Sequence, residues 1–126
     1  MDTRKSSTTT STSSTVCASS DIVGESVVNR QGESLGKIQD LAIDAETGTV
    51  AYAVLSFGGF LGMGDKLFAI PWSALEWTTD DELVLDADKE RLKNAPGFDS
   101  DNWPDMSDRT WGAQIHSYYN RPAYWK

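Results

Sequence analysis

Thr49–Phe57 (TVAYAVLSF) constrains the fold more than any other stretch of the chain. It is apolar on both side-chain parities, and a strand of that kind needs cover on both faces. A short polar turn ending in glycine, Ala45–Gly48 (AETG), precedes it and fits a hairpin. A longer stretch, Gly58–Asp65 (GGFLGMGD), follows it and sets Phe60, Leu61 and Met63 among four glycines. Thr49–Phe57 is therefore expected as the middle strand of a small closed or nearly closed sheet. Tyr52, Val54 and Leu55, with Phe68 and Ile70 of the next strand, are expected to fill its interior.

The flanking segments fit the same architecture. Asp21–Ser26 leads into a short first strand at Val27-Val28, and Asn29–Glu33 turns on Gly32. Leu35–Asp44 reads as the second strand. Its alternation breaks at Ile38, close to Gly36, which predicts a bulge of the kind a small barrel uses to curl. Lys66–Ile70 reads as a fourth strand that Pro71 ends or confines to an edge. Trp72–Trp77 makes a corner and starts another strand, Thr78–Asp81 is a polar turn, and Glu82–Asp86 returns. Five to six strands on short connections predict an all-β fold, a small barrel rather than βαβ units.

The chain then changes character. Asp88 can cap a short helix anchored by Leu92, and Pro96-Gly97 stops it. From Ser107, as N-cap, a second helix places Trp111, Ile115, Tyr118 and Tyr119 on one face. His116 lies one step from that face and is expected at a surface. Arg121–Lys126 adds Tyr124 and Trp125. Three regions result: a Ser/Thr-rich tail over 1–20, a barrel over 21–88, and a partly helical aromatic extension over 89–126.

Charge narrows the function classes. The tail holds thirteen Ser/Thr and almost nothing apolar, so it reads as disordered. Beyond it, eighteen acidic and nine basic residues leave a net charge of −9, a field that repels phosphate backbones and argues against nucleic acid as partner. Cys17 is the single cysteine and cannot form an internal disulfide. No stretch reaches the length of apolar sequence that spans a bilayer. His116 is the single histidine, which rules out a His–His metal pair, and no serine sits in a GxSxG elbow. Asp99, Asp101, Asp105 and Asp108 invite a calcium loop. Counted from Asp99, however, the sixth and twelfth positions hold Pro104 and Thr110 where an EF-hand needs Gly and Glu, so the segment reads as a solvated acidic linker. No catalytic, cofactor-binding or metal-binding residue is assigned.

Aromatic residues supply the candidate site. Phe60, Leu61 and Met63 on the glycine-hinged loop, with Trp103, Trp111, Ile115, Tyr118, Tyr119, Tyr124 and Trp125, are candidate interface residues, because Trp and Tyr dominate contact hot spots. The competing reading packs the helix and its aromatics back onto their own barrel. A domain this small gains from self-association, so a homodimer is expected.

Several of these residues also carry a resemblance. Gly24–Val28, the Gly32–Gly36 turn with Ile38, Asp44–Gly48 before an apolar strand, and Phe68–Trp72 (FAIPW) resemble the PRC-barrel domain over roughly Ile22–Asp88. That domain occurs in the cytoplasmic H subunit of purple-bacterial photosynthetic reaction centres, in a ribosome-maturation factor, and in small stand-alone proteins. The Asn102–Trp125 segment is similar to an extension of some stand-alone members. The resemblance implies a non-enzymatic, cytoplasmic interaction or assembly module. It leaves two alternatives: a peripheral accessory of a photosynthetic or electron-transfer complex at the inner membrane, and an RNA or ribosome-assembly factor. The H subunit's membrane helix and the ribosome factor's second domain have no counterpart in this sequence, so neither parent function carries over residue by residue.

Overall fold

The computed structural model describes residues 16–57, 66–78 and 82–125. Phe60, Leu61 and Met63 lie outside the described residues, as does most of the N-terminal tail. Val16–Ser20 are exposed, and a single 3-10 turn at Ser19–Asp21 leads into the domain, with Ile22 already in the core.

Six strands follow: β1 (Ser26–Val28), β2 (Ser34–Asp44), β3 (Thr49–Phe57), β4 (Lys66–Pro71), β5 (Leu75–Trp77) and β6 (Leu83–Leu85). They form one sheet in the order β4-β3-β2-β1-β6-β5, antiparallel except for the β1–β6 pair. The sheet curls into a half-barrel whose two outer strands are joined by a 3-10 corner at Trp72–Ala74. Pro71 ends the edge strand β4, where its missing N–H costs no ladder bond. The free edge of β4 is partly covered by Phe98, which exchanges both backbone hydrogen bonds with Leu67 at 2.8 and 2.9 Å.

Bulges produce the curl and explain the broken alternation of β2. Val27 opposes Gly36 while Val28 opposes Ser34, so Leu35 is an extra residue; between Ile38 and Asp40, Gln39 is another. Each bulge resets the side-chain phase, and Leu35, Ile38 and Leu41 all reach the interior. A third irregularity makes Ala51 extra on β3. Between the first two bulges stands Gly36, with φ 133°, and a Cβ there would lie 2.1 Å from the Ser56 carbonyl oxygen. Only glycine permits both that backbone conformation and that approach of β2 to β3.

The core has two layers. The inner cluster contains Val27, Leu35, Ile38, Ala53, Leu55, Phe57, Phe68, Ile70, Leu83, Leu85 and Leu92. The outer cluster contains Ala51, Tyr52, Ala69 and Ile115, on the opposite face of β3 and β4. Here the structure corrects one expectation. Leu55, Phe68 and Ile70 do fill the interior, but Tyr52 packs in the outer cluster and Val54 shares its parity. The fully apolar β3 has cover on both faces, and the cover outside is a helix.

Two helices complete the chain. α1 (Lys89–Lys93) is capped by Asp88, whose carboxylate accepts from the Arg91 amide at 2.7 Å, and it drops Leu92 into the inner cluster. α2 (Arg109–Tyr118) lies across the outer face. Its N-cap is Asp108, accepting from the Thr110 amide at 2.9 Å, one residue later than expected. Asp105 accepts from the Ser107 amide at 3.0 Å, which holds Ser107 in the turn ahead of the helix.

Candidate interaction surface

The aromatic extension is organised by how α2 ends. Asn120 takes φ 58°, the left-handed conformation that asparagine tolerates better than most residues. The Arg121 amide donates to the His116 carbonyl at 2.8 Å and the Asn120 amide to the Ser117 carbonyl at 3.1 Å. This pair of bonds is a Schellman stop. It reverses the chain, and Pro122 prevents any continuation, so Tyr124 and Trp125 fold back along the helix they follow.

The reversal builds an aromatic cage on β3. Tyr52 meets Trp111 edge-on at 5.2 Å, His116 at 5.4 Å and Tyr124 at 6.0 Å between ring centroids. Trp125 stands edge-on to His116 at 5.6 Å and to Tyr124 at 5.1 Å, and its outer face carries the Arg109 guanidinium at 5.3 Å. Gly112 lets the layers close: a Cβ at that position would be 2.6 Å from the Tyr52 hydroxyl and 3.0 Å from the Trp125 indole.

His116 is only 2% exposed, so its expected surface position is corrected. The sequence showed the helical face but not the returning segment that closes over it. The one available signal was Asn120-Arg121-Pro122, a left-handed cap followed by proline. His116 Nδ1 donates to the Gly112 carbonyl at 2.8 Å. Its Nε2 and the Tyr52 hydroxyl are buried without a hydrogen-bond partner among the described residues. Burial pushes the Tyr52 phenol up to about 12.

Tyr124 ties the cage to the β2–β3 hairpin by donating to Asp44 Oδ2 at 2.7 Å. That bond is the main cause holding the Asp44 carboxyl below its usual range, assisted by the Glu46 and Thr47 amides, and it raises the Tyr124 phenol. Beside it lies a cleft of about 380 Å³ whose lining includes Ile43, Tyr52, Met106, Tyr124 and Trp125.

The remaining candidates divide between packing and surface. Ile115 is buried, and Trp111 and Tyr119 pack against the core, so these residues belong to the fold of their own chain. Tyr118 donates to the Arg91 carbonyl at 2.5 Å and lies under the Arg91 guanidinium at 4.3 Å, which fastens α2 to α1. Trp103 is 41% exposed, stacks on Phe98 at 5.3 Å and donates Nε1 to the Ser100 carbonyl. Ile43, which sequence reasoning placed simply within a strand, is 54% exposed at the mouth of the cleft. Among the described residues, no three His, Cys, Asp or Glu side chains converge as metal ligands, and no helix is long and apolar enough to cross a membrane.

A curled sheet of six short strands around one apolar interior, crossed outside by a helix, defines a small all-β barrel-type domain. The chain matches the PRC-barrel domain over residues 15–92, more than half its length, and belongs to that family. The match extends from the tail's end through α1, while α2 and the aromatic reversal lie beyond it. No curated protein matches the chain.

Proposed function

We propose that this chain is a non-enzymatic interaction and assembly module that associates with a second copy of itself. One observation carries the reading: the cleft at the β2–β3 hairpin combines Ile43, 54% exposed, with Met106, Tyr124 and Trp125. Aromatic and methionine side chains around an exposed aliphatic anchor are the composition of an interface centre rather than of a solvated rim. Membership of the PRC-barrel family supports an assembly role. The surroundings of His116 favour packing over catalysis, since its Nδ1 is occupied by a helix carbonyl and its ring by aromatic neighbours.

Sedimentation velocity tests the proposal. A dimer is expected at micromolar concentration, and Ile43→Asp is expected to shift it to monomer without lowering the unfolding midpoint. A full-length chain that stays monomeric overturns it. The same family match favours a second reading, a peripheral accessory of a photosynthetic or electron-transfer membrane complex, for which integral membrane proteins should dominate a pull-down. An RNA or ribosome-assembly role requires binding at physiological salt, which the net charge of −8 opposes.

A further inference from the structure

Three of the chain's five arginines meet in one cleft of about 500 Å³, at the opposite end of α2 from the hairpin. Arg30 comes from the β1–β2 turn, Arg91 from α1, and Arg121 from the segment after α2. We propose that this cleft binds an oxyanion, the carboxylate or phosphate group of a small molecule, through Arg91 and Arg121.

The charges are already sorted for that purpose. Glu76 and Asp86 are the acidic residues of the lining, and Arg30 holds both, at 3.1 and 3.5 Å. Arg91 and Arg121 have no carboxylate partner among the described residues. Arg91 donates one N–H to the Tyr118 carbonyl and lays its plane over the Tyr118 ring; Arg121 donates Nε to Ser73 Oγ at 3.4 Å. A guanidinium offers five donors in a planar fork, so both retain the face that pairs with a carboxylate or phosphate. Ser73, acting as acceptor from Arg121, keeps its own proton to donate. Tyr119 lines the same cleft with its hydroxyl buried and unpartnered, and burial raises its phenol so that it remains a donor at neutral pH.

The negative end of the α2 dipole points here and would oppose an anion. Its last carbonyls are occupied, however: His116 accepts from the Arg121 amide, Ser117 from the Asn120 amide and Tyr118 from Arg91. The volume falls in the range of small-molecule sites. On a chain with a net charge of −8, this cleft gathers cationic side chains whose hydrogen bonds are largely unused.

The test is an NMR titration of the full chain with inorganic phosphate and, separately, with succinate, at constant ionic strength. Saturable shifts confined to the cleft are expected from at least one probe. Saturation by phosphate alone assigns a phosphate ligand, by succinate alone a carboxylate ligand, and by both a general oxyanion site. Arg121→Gln keeps the backbone bond to His116 and should raise the Kd about tenfold or more, the usual consequence of losing a charge-assisted hydrogen bond. Lys37→Gln removes the same charge from exposed β2, outside the cleft lining, and should leave the Kd unchanged. Non-saturating shifts with both probes, an unaltered Kd in Arg121→Gln, or equal weakening by Lys37→Gln would overturn the proposal. None of these results depends on whether the chain dimerises.

Discussion

Replacing Gly112 by alanine sets two effects of similar size against each other. In an exposed helix the change stabilises by about 1 kcal/mol, because glycine costs more backbone entropy. Here the new methyl would stand 2.6 Å from the Tyr52 hydroxyl and 3.0 Å from Trp125. Tyr52 cannot swing aside, since Trp111, His116 and Tyr124 surround its ring. Overpacking of this kind costs roughly 1–3 kcal/mol, so the helix gain is outweighed and a net loss of about 1 kcal/mol is expected. Tyr52→Phe removes the oxygen that the methyl would strike. It also removes a buried hydroxyl without a partner, so alone it should be neutral or stabilising. In the Tyr52→Phe background, Gly112→Ala should lose most of its penalty, giving a coupling of about 1–2 kcal/mol in the double-mutant cycle. Urea unfolding followed by tryptophan fluorescence measures all four proteins. If Gly112→Ala stabilises the parent by the full helix-propensity amount, the helix does not sit against Tyr52 and the two-layer packing is wrong.

Two further outcomes follow from the same packing. Phe68→Ala empties the middle of the inner cluster and should cost roughly 3–5 kcal/mol in urea unfolding; an unchanged midpoint would remove Phe68 from the core. Tyr52 has its folded pKa raised, so its contribution to stability is complete below about pH 10, the ordinary phenol value, and is lost as pH rises through about 12. Unfolding midpoints measured from pH 9 upward should therefore fall more steeply for the parent than for Tyr52→Phe, whereas parallel curves would show that Tyr52 ionises as freely in the folded chain as in the unfolded one.

Strand positions were legible in the sequence because their signals are local. The apolar run of β3, the turns at Gly32 and Gly48 and the stop at Pro71 each act within a few residues, and each appears in the structure where the sequence puts it. Asp88 likewise caps α1 through its own neighbours. The phase break at Ile38 announced a bulge, although the exact extra residues, Leu35 and Gln39, depend on which partner atoms face them across the strand pairs.

The sequence by itself determined that β3 must be covered on both faces, that the chain is strand-rich before Asp88 and helical after it, and that an acidic surface would result. It could not decide which covering belongs to which face. That required bringing α2 over β3, more than fifty residues away in the chain, and it moved Tyr52 from the expected interior to the outer layer. His116 became buried for the same reason: the neighbours that enclose it come from β3 and from the segment beyond Asn120, so no periodicity within α2 could reveal them. The arginine cleft is likewise assembled from three separated segments. Hydrophobic patterning and turn chemistry are properties of neighbouring residues, whereas burial and the convergence of charge arise from contacts between residues far apart in the chain, which only the folded structure brings together.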